Sequence, residues 1–136
     1  GERMNNPVET IKVSEQAKDQ LVRLKRKTGI GNWNVLCRWA IAVSLAETNP
    51  PPPKRIKLDS NIEIPWRTFG GDYADVYAAL MHQRCIDDGL GVAPDVLSEQ
   101  FKLHLHRGIG YLANDSSIDS IDALFGKLPV EWGANA

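Results

Sequence analysis

What this 136-residue chain lacks narrows the choices before any pattern is read. It has only two cysteines, Cys37 and Cys85. That is too few for a disulfide framework, so a reduced, cytoplasmic protein is expected. The longest apolar stretch, around Ala40 to Ala46, falls far below the roughly 20 residues of a membrane span. The first ten residues are polar and do not read as a secretory leader, and Gly1 in place of Met reads as a cloning remnant. The chain contains no Gly-x-Ser-x-Gly elbow, no phosphate loop ending in Gly-Lys-Ser/Thr and no dinucleotide glycine fingerprint. It also has no Cys-x-x-Cys knuckle for zinc. No catalytic residue is therefore named, and neither a cofactor nor a metal is expected.

A hydrophobic share of 43% is enough for one chain of this length to bury a core unaided. The net charge of −1 conceals a division: residues 1–58 carry +6 and residues 59–136 carry −7. A basic front half can face a polyanion while the acidic half turns away or meets another protein.

Periodicity predicts a mainly α fold, a compact domain of about five helices with one or two short strands. Residues 8–13 alternate loosely and read as a strand. Ser14 is placed to cap a helix in which Ala17, Leu21, Leu24 and Thr28 share a stripe, and Gly29 is placed to end it. A second helix, from Asn32 or Trp33 to Glu47, is apolar on nearly every side, which predicts burial and part of a subunit interface. Arg38, the one charge in its interior, needs a carboxylate or carbonyl partner.

Pro50 to Pro53 form an extended spacer, and residues 61–66 read as an edge strand. Gly70-Gly71-Asp72 reads as a turn with Asp72 as the cap of a third helix over 73–88, whose Val76, Leu80, Met81 and Ile86 are expected inward. A fourth helix begins near Pro94, and Ser117 caps a short fifth to about Phe125. The domain expected is 8–126, with a disordered or cloning-derived arm at 1–7 and a frayed end at 127–136.

Three groups of residues invite chemistry. The first is the basic set Lys12, Lys18, Arg23, Lys25, Arg26, Lys27, Lys54, Arg55 and Lys57, which suits phosphate neutralisation or, more plainly, a solvated face. The second is Gly29, Gly31 and Asn32, in a turn leading into a helix N-terminus. Backbone amides there could hold a phosphate oxygen, though a tight helix connection explains the same glycines. The third is the histidines: His104 and His106, two apart, point away from each other on a helix, whereas His82 and Cys85 share a face. Packing and hydrogen bonding are their expected roles.

Three longer stretches carry a family resemblance. These are Leu24-Lys25-Arg26-Lys27-Thr28-Gly29-Ile30 followed by Trp33 through Ala40; Glu63-Ile64-x-Trp66-x-Thr68-Phe69-Gly70-Gly71; and Phe101-x-Leu103 through Leu112. In this order they resemble the DndE family of DNA sulfur modification proteins, over about residues 8–112. The resemblance implies a bacterial system that replaces a non-bridging phosphate oxygen of DNA with sulfur. There a cysteine desulfurase and an ATP-using iron–sulfur sulfurtransferase supply the chemistry, with an ATPase-like component beside them, and the DndE-like protein is the small DNA-binding member. The family offers no catalytic residues to transfer.

The order of strand, basic helix, turn and buried helix over 8–47 is also similar to a ribbon-helix-helix unit. The outward strand residues, Thr10 and Lys12, make a thin reading surface, so backbone contact is expected more than base readout. The expected function is a non-enzymatic accessory subunit, a dimer or tetramer. It would bind double-stranded DNA, nicked duplex preferentially, alongside the other sulfur modification proteins. A ribbon-helix-helix repressor and a protein–protein scaffold are the alternatives.

Overall fold

The computed structural model describes residues 5–116, so the expected fifth helix at 117–125 and the frayed end at 127–136 lie outside the described residues, as do positions 1–4 of the arm. The elements in chain order are β1 (Thr10–Lys12), α1 (Glu15–Thr28), α2 (Trp33–Ala46), β2 (Glu63–Pro65), α3 (Trp66–Gly70), α4 (Ala74–Asp87) and α5 (Pro94–Asn114).

Local rules account for most of the helix ends. The Ser14 side chain accepts from Ala17 N–H at 3.0 Å, satisfying one of the first-turn amides that a helix leaves unpaired. Gly29 takes the left-handed conformation (φ 76°) and its N–H returns to the Lys25 carbonyl, which ends α1. Pro94 occupies the first turn of α5, where its missing N–H costs nothing.

The long helix α5 lies at the centre, with α1, α2 and α4 packed around it. Its closest approach is to α2. A Cβ built at Gly108 would stand 1.8 Å from the Ala40 carbonyl oxygen, so only glycine permits this crossing. Leu36, Cys37, Ala40 and Ile41 of α2 meet Leu105, Ile109 and Leu112 of α5 in one core. Each fully buried leucine or isoleucine there is worth about 2 kcal/mol relative to exposure. Trp66, Phe69, Phe101 and Tyr77 close the other end, with ring centroids 5.1 to 5.8 Å apart.

Some expectations fail at α3 and α4. Residues 66–70 form a short helix rather than the end of an edge strand, because Trp66 turns inward and bonds the Ala74 carbonyl through Nε1 at 3.2 Å. Asp72 caps nothing: it lies in the 3-10 turn Gly71–Tyr73, and Tyr73 holds the cap position of α4. Of the four residues expected inward on α4, only Met81 is; Val76, Leu80 and Ile86 are exposed, and Ala78 and Cys85 take the inner face. The helix is apolar on two opposite sides, so spacing alone could not choose between them.

β1 finds its partner within the chain. It pairs antiparallel with β2 in the register Thr10 to Pro65, Ile11 to Ile64 and Lys12 to Glu63. In a ribbon-helix-helix dimer the corresponding strand comes from a second copy.

Candidate nucleic-acid interface

Two partly buried arginines anchor the end of α2 from which the basic segment departs, and sequence reasoning missed both. Arg84 of α4 donates to the carbonyls of Leu45, Glu47, Thr48 and Asn49, and its Nε pairs with Asp88 at 2.9 Å. Arg107 of α5 donates to the Ser44 hydroxyl and carbonyl, both at 2.9 Å, and to the Asn49 carbonyl at 2.8 Å. The last turn of α2 thus receives cationic donors from two other helices, where its unpaired carbonyls and negative end want them. The chain leaves this clamp through Pro50 to Pro53, and Lys54, Arg55 and Lys57 follow, all exposed.

That segment folds against the first half of α1. A cleft of about 540 Å³ opens there, lined by Gln16 and Gln20 of α1, by Lys54, Arg55 and Lys57, and by His106, Arg107 and Tyr111 of α5. Two carboxylates share it. Asp59 is engaged in accepting the Glu15 N–H at 3.0 Å; the other is Glu15 itself. His106 forms part of the wall: its Nε2 accepts the Ser14 N–H at 3.2 Å and its Nδ1 donates to the Lys102 carbonyl at 2.8 Å. Burial, first, and the Lys102 and Lys54 charges lower its proton affinity, so the ring is neutral.

Helical spacing sorts the remaining cations. Gln16 and Gln20 face the cleft, and Arg23 and Lys27 continue that row at the next three- and four-residue steps, both exposed. Arg26 lies on the outermost side. Lys18 and Lys25 fall on the opposite flank, where the Lys25 ammonium sits 4.2 Å from the Trp33 ring centre. Lys12 is separate again, at the end of β1, 4.0 Å from Glu63. The nine cations therefore do not form one field: Lys54, Arg55, Lys57, Arg23 and Lys27 run along one side, with Arg26 beside them.

The glycine turn is accounted for by its own hydrogen bonds. Thr28 Oγ1 donates to the Leu24 carbonyl at 2.7 Å and accepts the Ile30 N–H at 3.2 Å, while Gly29 supplies the left-handed step. Gly31 has no positive φ, and Asn32 caps α2 without a side-chain bond. All three residues of the expected phosphate-proximal turn, Gly29, Gly31 and Asn32, are exposed.

The other polar residues singled out have structural partners. Arg38 meets the carbonyl it needs, donating to Phe69 O at 2.9 Å. His82 Nε2 lies 2.9 Å from the Asn5 carbonyl, which ties the N-terminal arm to α4. Ser44 Oγ accepts from Arg107, so its own proton goes to His104 Nδ1 at 2.8 Å. His104 is fully buried, and burial, then the charges of Arg84 and Arg107, push it down to about 4. Burial pushes the Cys37 thiol up to about 12 and raises Cys85, so neither is a ready thiolate. Among the described residues no three of His, Cys, Asp or Glu gather as a metal site. Nor, among them, is any helix long and apolar enough to cross a membrane.

Fold and site together define a small, mainly helical protein with a row of cations beside one cleft. A family model described as DNA sulphur modification protein DndE matches residues 10–120, and the chain belongs to that family. Two solved structures share the fold. One is DndE from Escherichia coli B7A, described as involved in DNA phosphorothioation modification. It is 23% identical, with a TM-score of 0.64, covering 77% of this chain and 96% of that one. The other is a glycine-to-lysine double mutant of DndE involved in DNA phosphorothioation. It is 22% identical, with a TM-score of 0.61, covering 79% and 98% respectively. No curated protein matches the chain.

Proposed function

We propose that this chain is a non-catalytic, cytoplasmic accessory subunit of DNA phosphorothioate modification that binds the phosphate backbone of double-stranded DNA. The observation that carries this reading is the row formed by Arg23 and Lys27 of α1 with Lys54, Arg55 and Lys57, the last three on the segment that leaves the clamp on residues 44–49. Such a row neutralises phosphates and releases counterions, which makes affinity strongly salt-dependent. The row offers few short polar side chains for base edges, so duplex sequence matters little and a nick, where the backbone is easily displaced, is favoured. Arg26 adds charge beside this row, Lys18 and Lys25 on the far flank of α1 and Lys12 on β1 contribute only to the longer-range field, and the exposed turn at Gly29, Gly31 and Asn32 follows Lys27 towards the start of α2.

Self-association as a dimer or tetramer belongs to the same reading. One flank of α2 carries the uncharged Val35, Trp39, Ala42, Val43 and Ala46, none of them fully buried although Trp39 and Val43 also pack on the core, so two copies can meet there without burying like charges. The repressor reading is disfavoured because β1, the strand that would pair with a second copy, is paired with β2 of its own chain.

The test compares two charge reversals on the purified chain. Changing Lys54, Arg55 and Lys57 to Glu should weaken binding to a nicked duplex by about a hundredfold at moderate salt and reduce the salt slope by about 0.9 for each lost phosphate contact. Changing Lys18 and Lys25 to Glu should cost about tenfold or less. Equal losses from both variants, or the same affinity for nicked and intact duplexes, would reject the assignment of the row or the nick preference respectively.

A further inference from the structure

The largest side-chain anomaly lies away from the cations. Among the described residues eight large apolar side chains are strongly exposed, and six of them, Tyr73, Val76, Leu80, Ile86, Leu90 and Val92, belong to one stretch. On α4 the helical spacing places Val76, Ala79, Leu80 and Ile86 on the side opposite the buried Ala78, Met81 and Cys85, with Tyr73 just ahead of the helix and the hydrogen-bonded pair Gln83 and Asp87 on the same side. Val76 is 51%, Leu80 44% and Ile86 55% exposed. A helix apolar on both sides is normally covered on both, and a contiguous exposed apolar patch marks an interaction site.

The charges around this face say what covers it. Asp72 and Asp75 stand at its N-terminal end and Asp87 at its C-terminal end, all exposed. None of the three is in an ion pair; Arg67, at the same end, lines a shallow hollow with Asp72 and Asp75 without pairing to either. Between Thr68 and Phe101 the sequence holds one Lys or Arg, Arg84, and it is spent on the end of α2. Asp75 is suited to the first turn of a helix, whereas Asp87 sits in the last turn, against the helix dipole, accepting from Gln83 Nε2 at 2.8 Å but with no cation beside it. Two copies meeting through this face would bring these carboxylates together, unlike the uncharged flank of α2.

We infer that the outer face of α4 docks a partner protein of the modification system through an amphipathic helix whose apolar stripe is flanked by Lys and Arg. This rests on the reading of the chain as an accessory subunit, and it assigns the acidic half of the molecule a function separate from DNA contact. The partner's apolar stripe covers Val76, Leu80 and Ile86, and its cations answer Asp72, Asp75 and Asp87.

The test uses the intact chain and the purified proteins of the phosphorothioation system, taken singly, in titration calorimetry. One of them should bind. Val76→Glu with Leu80→Glu should weaken that complex by at least about a hundredfold, and Leu80→Gln by about tenfold. Asp72→Asn, Asp75→Asn and Asp87→Asn together should weaken it about tenfold and remove most of its salt dependence. All three variants should keep the wild-type affinity for DNA, so loss of the complex and loss of DNA binding are read separately.

The inference is overturned if none of the proteins binds, or if binding survives the Val76/Leu80 change. A complex indifferent to neutralising the aspartates would refute the basic character of the partner. If the Val76/Leu80 variant alone shows a lower mass in light scattering, the face belongs to a second copy. If that variant loses the same stability as a chain lacking residues 117–136, the face belongs to the C-terminal segment.

Discussion

Arg84 and Arg107, from different helices, donate to the same backbone oxygen, that of Asn49, at 3.1 and 2.8 Å. This shared carbonyl is the point from which the proline spacer and the basic segment depart. Glu47 adds to the cluster, lying 3.6 Å from Arg107 and accepting from the Tyr111 hydroxyl, which together with the Arg107 charge holds its carboxyl below its ordinary range.

The clamp should contribute to stability as well as to placement. Arg107→Ala leaves the Ser44 hydroxyl and carbonyl without their arginine donor and Asn49 with only Arg84, and is expected to cost about 2–3 kcal/mol. Arg107→Lys recovers little, because an ammonium cannot span the hydroxyl and both carbonyls as the guanidinium fork does. Urea unfolding of the two variants checks this, and a lysine variant as stable as wild type would count against the geometry.

The α2–α5 crossing makes a second prediction, with a built-in control two residues away. Gly108→Ala must push the helices apart and should destabilise the chain by about 3 kcal/mol or more. Gly110→Ala meets nothing within 4 Å and should be neutral, or stabilising by up to about 1 kcal/mol from helix propensity. Thermal melts of the pair would decide it, and similar melting temperatures for both would refute the close approach.

His104 predicts the direction of the pH dependence. In the fold its imidazole takes a proton only at about 4, against 6.5 for the free side chain. Its contribution is complete above pH 6.5. From there down to about 4 the unfolded chain binds the proton and the folded chain does not, so stability falls as pH is lowered. The slope for one such group is at most about 1.4 kcal/mol per pH unit. Urea unfolding at pH 7 and pH 5 should show this loss. His104→Asn, which keeps an acceptor for Ser44, should leave only the share of His106, whose proton affinity is also lowered. Identical stability at the two pH values would contradict the buried neutral ring.

How much was legible from residues varied with the range of the forces involved. Helix ends depend on neighbours one turn away, so Ser14, Gly29 and Pro94 declared themselves, and Arg38 announced a need that the Phe69 carbonyl meets. Arg84 and Arg107 carried no such signal, because their acceptors lie on α2, far away in the chain. The basic set was legible as residue types, but its division into a row beside the cleft, a flank near Trp33 and an isolated Lys12 was not. That division depends on where the segment after the prolines comes to rest.

By itself the amino-acid order determined the mainly helical composition, the element boundaries near good caps and, through three ordered stretches, membership of the DndE family. Only the tertiary structure decided which side of α4 turns inward, since both sides are apolar and periodicity weighs them equally. The crossing of α2 and α5 at Gly108 and the convergence of two guanidiniums on Asn49 belong to the same category. Such choices follow from how whole helices pack against one another, and no local window of sequence contains that information.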